Sequence, residues 1–314
     1  MRHDPKIESM RRPASTAFGA WRRAMGSALL VISGAYLAAC ASLPMVDSPS
    51  ANQNDRIQFL VLHFTSLPFD ESMQRLTEPS DRPVSAHYLV PEPGDATYTA
   101  DELKIHRLVA EDKRAWHAGI SSWRGQASLN ASSIGIELVN QSHCESRKPQ
   151  AEPQTPEMQT CVFLDFADEQ IELLIELIQG ILERHSDIDP VDIVAHSDIA
   201  PDRRLDPGPT FPWRLLYENG IGAWYDPDTV ESYRRRFSDG APPFELMQRA
   251  LRAYGYLVEP TGEKDLQTRF AVRAFQLHFR PALTDGAFDT ETSAILFALL
   301  EKYQPRKLAQ LTES

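Results

Sequence analysis

Basic residues are in deficit: Lys plus Arg number 32 against 44 Asp plus Glu, a net charge of −12 over 314 residues. A surface that binds nucleic acid must offer cations to phosphates, so no nucleic-acid partner is expected. Long hydrophobic runs are also missing. The apolar stretch at residues 24–39 is 16 residues long, whereas a membrane span needs about 20. With 42% hydrophobic and 24% charged residues, the chain is not polytopic, collagenous or disordered. It has no low-complexity region and no internal repeat. It also lacks an HExxH-type motif, so no local spacing announces a metal site. Cysteine occurs only three times.

What is present begins with an uneven charge distribution. The first forty residues hold six basic and two acidic side chains, a net of +4, which leaves −16 for the remainder. Arg22 and Arg23 precede the apolar run, which ends Leu37-Ala38-Ala39-Cys40. A basic region, an apolar region and small residues before a break read as an export signal. A cysteine directly after the small residues resembles the lipobox of bacterial lipoproteins, which makes Cys40 the expected lipidation site. The alternatives are an ordinary signal peptide or a marginal membrane anchor. Ala41 is not Asp, so nothing argues for inner-membrane retention. Residues 41–55 are polar, contain two prolines and read as a tether.

Export permits the other two cysteines, Cys144 and Cys161, to pair. They flank a Pro-rich polar stretch, Glu145 to Thr160, which reads as a loop. A bridge across it is expected to stabilise by about 3 kcal/mol in the chain-entropy model; two unpaired thiols are the alternative.

Short apolar runs at Ile57–His63, Val84–Val90, Ile105–Val109 and Val191–His196 read as strands. Ile134, Ile136 and Leu138 alternate with their neighbours at a period of two. Asp168 to His185 carries apolar residues at helical spacing with no proline. Leu205 to Pro212 is loop. This mixture gives an α/β class with a mixed sheet flanked by helices. Beyond a hinge-like stretch rich in Arg, Pro and Gly, segments 244–254, 266–279 and 290–303 read as helices of a small domain. The expected organisation is a signal peptide at 1–40, a tether at 41–55, a catalytic domain at 56–225, a linker at 226–242 and a helical domain at 243–302. A chain ending near Ser238 is then expected to keep its chemistry.

Nine histidines are present. His63 and His196 close strands, and Asp206 follows His196 by ten residues. Two imidazoles and a carboxylate suit Zn²⁺ and leave a fourth tetrahedral position for water, the arrangement of catalytic sites. A strand-end histidine is otherwise a hydrogen-bonded or exposed residue. Glu137 faces away from Ile136 and Leu138 on its strand. A carboxylate there is either solvent-facing or a base beside a zinc-bound water.

Six segments in order over about 170 residues carry a resemblance. They are Val61-Leu62-His63-Phe64-Thr65, Val84-Ser85-Ala86-His87-Tyr88, Ala115-Trp116-His117-Ala118-Gly119, Asn130 with Ser133-Ile134-Gly135-Ile136-Glu137, Ala195-His196-Ser197-Asp198-Ile199-Ala200-Pro201, and Asp206-Pro207-Gly208-Pro209. Together they resemble the zinc N-acetylmuramoyl-L-alanine amidases, the family of phage lysozyme-like amidases and peptidoglycan recognition proteins. The nearest likeness is to the lipid-anchored amidases of the Gram-negative outer membrane.

The resemblance implies His63, His196 and Asp206 as zinc ligands and Glu137 as the catalytic carboxylate. It implies Trp116, His117 and Asn130 as groove residues. The family usually has lysine two residues before the Asp ligand. Here that residue is Arg204, the candidate for stabilising the oxyanion, with its charge kept and its shape changed.

Leu246 to Tyr256, Arg269 to Gln276 and Asp285-Gly286 resemble a three-helix peptidoglycan-binding domain. A helical cap without a ligand of its own is the alternative. The expected protein is a zinc amidase acting on peptidoglycan and muropeptides in cell-wall turnover or recycling. It is expected to be monomeric and held to the outer membrane, facing the periplasm, by a lipid anchor. A non-catalytic muropeptide binder and a structural tether are the competing readings.

Overall fold

The computed structural model describes residues 45–146, 159–240 and 242–312. The signal segment and Cys40 lie outside the described residues, as do residues 41–44 of the tether. Residues from Asn52 onward form one compact unit.

β1 (Phe59–Phe64) is apolar except at His63 because it is an interior strand of the sheet, buried on both faces. α1 (Phe69–Thr77) follows, then β2 (Tyr88–Val90), β3 (His106–Arg107), a small hairpin of β4 (Ser122–Trp123) and β5 (Gln126–Ala127), and β6 (Ser133–Leu138). β7 (His143–Ser146) and β8 (Gln159–Val162) pair as a second hairpin. α2 (Asp168–Arg184) leads to β9 (Ile193–Ala195), which runs directly into a four-residue helical turn, α3 (His196–Ile199). α4 (Trp213–Glu218), α5 (Pro227–Arg236), α6 (Phe244–Tyr254), α7 (Leu266–Phe279), α8 (Thr290–Tyr303) and α9 (Pro305–Thr312) complete the chain.

The main sheet has the order β3-β2-β6-β1-β9, with β2, β6, β1 and β9 parallel and β3 antiparallel at one edge. This is the expected mixed sheet. α2 lays Ile171, Leu174, Ile178 and Ile181 into the core, and the Gln170 amide donates to the carbonyls of Val90 and Val139. The strands expected over Val84–Val90 and Ile105–Val109 are shorter than the apolar runs. Around His87 the backbone bonds irregularly, with its N–H to Gly135 and its carbonyl accepting from Leu108.

Ordered elements occupy the described ends of the expected loop and part of the expected linker. The ends of the cysteine-flanked stretch form the β7–β8 ladder, with Cys144 directly opposite Cys161 and the two joined by a disulfide. Residues 147–158 lie outside the described residues. The stretch expected as a linker, 226–242, contains α5. Asp226 caps this helix by accepting from the N–H groups of Asp228 and Thr229. Pro227 stands in the first turn, where it needs no N–H partner. The arginines at 234–236, read as part of a hinge, end the helix, where cations complement its dipole. Val230 and Tyr233 are buried, and the Tyr233 hydroxyl donates to Glu301 at 2.6 Å.

The C-terminal helices share one core with the sheet domain. Trp123 meets Tyr254 and Tyr256 edge-on, Trp213 stacks on His278, and Lys302 donates to the carbonyl of Trp224. A chain ending at Ser238 is therefore expected to lose its fold and not merely a binding module. Each buried aromatic exposed by the cut is worth about 1.5–3 kcal/mol, and several together rival a typical net stability of about 5–15 kcal/mol. The check is soluble yield and thermal unfolding of the shortened chain; a cooperative transition like that of the full chain would contradict the shared core.

Candidate active site

β1 and β6 are parallel neighbours, and His63 is the register partner of Glu137. Register partners project from the same face, so the two side chains stand side by side at the carboxyl ends of the strands, and Glu137 lines the cleft there. β9 delivers His196 as the first residue of α3, and the following loop returns Asp206 to it. The Ser197 N–H donates to the Asp206 carbonyl at 3.0 Å, which ties that loop to α3.

Three donor atoms converge. His63 Nδ1 lies 2.9 Å from His196 Nδ1 and 3.1 Å from Asp206 Oδ2, and His196 Nδ1 lies 2.9 Å from the same oxygen. All three residues are buried. Burial, then the neighbouring His196, lowers the His63 pKa to about 4, so its imidazole is neutral at pH 7. The Asp206 carboxyl is destabilised by burial, but the neighbouring His196, through its charge and its hydrogen bond to Oδ2, prevails and holds it far below the usual carboxylate range.

A hydrogen-bonded chain behind His63 selects its tautomer. Ser133 Oγ donates to the carbonyl of Leu129 at 2.7 Å, so it accepts from His117 Nε2 at 3.1 Å. His117 Nδ1 must then accept from His63 Nε2 at 3.0 Å. His63 Nδ1 is left with a lone pair facing His196 and Asp206. Outer partners of this kind commonly orient metal-ligating histidines. The chain depends on Gly135, because a Cβ there would lie 2.3 Å from His117 Cγ.

These residues fit a divalent cation. Two nitrogens and one oxygen within about 3 Å of each other would satisfy their lone pairs together on one ion and leave one side open, as in catalytic zinc sites. Glu137 Oε2 is buried with no hydrogen-bond partner. Burial, then the Asp206 charge, raises the Glu137 pKa to about 8 against the opposing pull of Arg204. A cation beside it would reverse that shift.

The cleft has a volume of about 270 Å³ and is lined by His117, Glu137, His196, Asp206 and Arg204, with Arg75 and Ser72 of α1 on its wall. A family model described as N-acetylmuramoyl-L-alanine amidase matches residues 53–209, which takes in every one of the converging side chains. The AmiD amidase of Escherichia coli K12 is 41% identical over 289 residues, covering 87% of this chain and 97% of that one.

The chain belongs to the N-acetylmuramoyl-L-alanine amidase family.

A peptidoglycan-binding domain model matches residues 241–296 of this amidase. Its fold is also that of two solved structures. AmpDh3 from Pseudomonas aeruginosa, in complex with an anhydromuramic pentapeptide, superposes with a TM-score of 0.75 at 43% identity, over 83% of this chain and 99% of that one. AmiD from E. coli, in complex with its substrate anhydro-N-acetylmuramic acid-L-Ala-D-γ-Glu-L-Lys, gives 0.67 at 42% identity, over 82% and 93%.

The amidase brings together His63, His196, Asp206, Glu137 and Arg204 as expected from its sequence. Of the three expected groove residues, His117 lines the cleft, Trp116 lines the depression beside it, and Asn130 lines neither. His117 borders the cleft, but it is only 7% exposed and both its ring nitrogens are engaged, so it supports His63 from behind. Asn130 does not line the cleft. Its Oδ1 accepts the N–H groups of His117 and Ala118 at 3.0 and 2.7 Å and so shapes the turn that carries His117. Trp116 is half exposed and lines a neighbouring depression that shares Leu76, Val84 and Ser85 with the cleft. Two contributors were not foreseen. Arg75 reaches the cleft from a helix absent from the sequence reading. Arg203 donates to the carbonyls of Ala118 and Ile120, which clamps the His117 turn to the Asp206 loop. No local pattern marks either one, since both act through non-local contacts.

Proposed function

We propose that this amidase uses zinc to hydrolyse the amide between N-acetylmuramic acid, or its 1,6-anhydro form, and the L-alanine of peptidoglycan stem peptides. The observation that carries the reading is the convergence of His63 Nδ1, His196 Nδ1 and Asp206 Oδ2 beside the unpartnered carboxyl of Glu137. The muropeptide ligands of AmpDh3 and AmiD support the substrate class. When bound, Zn²⁺ supplies Lewis acidity that acidifies water and polarises a carbonyl.

The chain's own residues do the rest. Glu137 accepts the proton of the attacking water and returns it to the leaving amine of L-alanine. Arg204, exposed and lining the cleft, would offer its guanidinium to the developing oxyanion, a role worth about 10²- to 10³-fold. His117 and Ser133 hold the His63 ring in the tautomer that keeps Nδ1 free. The helical domain, through its peptidoglycan-binding likeness, would hold the enzyme near its polymer and raise the effective substrate concentration.

Incubating the zinc-loaded protein with purified anhydro-muropeptides tests the reading. Release of free stem peptides with an N-terminal alanine is expected. Binding without release would leave a muropeptide receptor, and neither binding nor release would leave a tether.

The proposed location is the outer membrane, facing the periplasm, with Cys40 as the acylated residue. Cys40→Ser removes the thiol nucleophile, so the variant is expected to leave the membrane fraction. Unchanged fractionation would point to another anchor.

A further inference from the structure

We propose that Tyr256 and His278, both on the C-terminal helical part of the chain, are positioning residues for the metal site of the sheet domain. The inference rests on the zinc reading above. Its centre is Asp198, a carboxylate only 1% exposed and two residues beyond His196. Asp198 Oδ2 accepts the Ala195 N–H at 2.8 Å, the reach-back half of a capping box, and so closes the start of α3.

Two of the three proposed ligands depend on that turn. His196 is its first residue, and its carbonyl accepts the Ala200 N–H at 3.0 Å. Ser197 carries Asp206 through the 3.0 Å bond from its N–H to the Asp206 carbonyl. A four-residue turn cannot hold itself, because helix nucleation is unfavourable at that length. Its geometry must come from what is packed around Asp198.

What is packed there belongs to the other domain. Tyr256 donates to Asp198 Oδ1 at 2.5 Å, and His278 Nδ1 donates to Oδ2 at 2.7 Å. A buried carboxylate is tolerated only when donors surround it. The Ala195 N–H is one such donor, and the helical domain contributes these other two. Both are themselves held rigidly. The His278 ring stacks on Trp213 at 3.7 Å and on Phe279 at 3.9 Å. Tyr256 meets Trp123 edge-on at 4.9 Å, and the Trp123 indole N–H donates to the Val191 carbonyl just before β9. The helical domain thus braces both β9, which leads into His196, and the carboxylate that caps the start of α3.

Removing either donor would leave the buried Asp198 carboxylate one hydrogen bond short, Oδ1 with none if Tyr256 is lost and Oδ2 with the Ala195 N–H alone if His278 is lost. The turn would relax toward other donors, and the ligand atoms would separate. A metal site tolerates displacements of only about 0.5 Å. Support of this indirect kind is commonly worth about 10- to 100-fold in metal affinity.

The experiment uses the full chain and reads zinc affinity by competition with a chelating dye, alongside kcat and KM on an anhydro-muropeptide. Tyr256→Phe keeps the ring and removes the hydroxyl. His278→Phe keeps the ring stack and removes the donor. His278→Asn removes the stack and keeps an N–H near the Nδ1 position. Tyr233→Phe is the matched control, because it deletes another Tyr–carboxylate bond, the 2.6 Å contact with Glu301, in a helix that makes no part of this network.

Tyr256→Phe and His278→Phe are expected to weaken zinc about 10- to 100-fold and to lower kcat with KM unchanged. His278→Asn should bind zinc like the wild type despite a lower melting temperature, and Tyr233→Phe should leave both readouts unchanged. Wild-type zinc affinity in Tyr256→Phe and His278→Phe would overturn the inference. So would weaker zinc binding by His278→Asn than by His278→Phe, which would assign the effect to packing. A wild-type protein that takes up no zinc would instead overturn the metal reading, and this inference would fall with it.

Discussion

Glu137→Gln is expected to retain zinc and to lose turnover by about 10²- to 10⁴-fold, the usual worth of a positioned general base. The amide keeps the shape of the carboxyl but cannot accept a proton. Glu137 stands in register with His63, on the same face of adjacent strands. Its Oε2 is buried without a partner, so it has an unused lone pair where an attacking water would stand. Metal content and turnover measured on one preparation decide the matter. Loss of zinc would make Glu137 a ligand. Full turnover with zinc in place would remove it from the chemistry. His117 could not then inherit the role, since both its nitrogens are committed to His63 and Ser133. Arg204→Lys, which restores the residue usual in the family, is expected in the same assay to keep or raise the rate.

The parts legible in the sequence are those set by short-range chemistry. α6, α7 and α8 begin and end where the apolar spacing placed them. α7 and α8 are capped by Asp265 and Asp289, and Pro243 and Gly255 bound α6. The alternation in β6 placed Glu137 correctly. The strand ends placed His63 and His196, because an apolar run that terminates in histidine has little freedom over where the ring goes.

What was not legible depends on distant partners. His117 lines the cleft, but its support of His63 shows only once Gly135, without a Cβ, is seen to let it sink against β6. Asn130 looks like a substrate contact until its carbonyl oxygen is found taken by two backbone amides. The stretch at 226–242 has the composition of a hinge, yet Val230 and Tyr233 find a core against α8, and burial outweighs local composition. Asp198 lies in one of the six quoted segments, but nothing local shows what the helical domain gives it. Its two side-chain donors, Tyr256 and His278, lie 58 and 80 residues away in the chain.

Asp206→Ala is expected to abolish metal binding and turnover together. Asp206 Oδ2 is the shared corner of the site, at 3.1 Å from His63 Nδ1 and 2.9 Å from His196 Nδ1. It is also the only anionic donor of the three. Without it two imidazoles remain, fewer than the three protein ligands of a catalytic zinc site. Lewis-acid assistance of several kcal/mol then disappears. At about 1.4 kcal/mol per factor of ten, the rate should fall by about 10³-fold or more. Stability gives an independent readout. A ligand at one hundred times its dissociation constant stabilises the folded state by about 2.7 kcal/mol, so added zinc should raise the wild-type melting temperature. The same zinc should leave the Asp206→Ala transition where it is. The substitution also removes the oxygen that both rings contact, so the metal-free variant should melt below the metal-free wild type. A zinc-dependent rise in melting temperature that survives in Asp206→Ala would place the ion elsewhere, and the His63–His196–Asp206 assignment would be wrong.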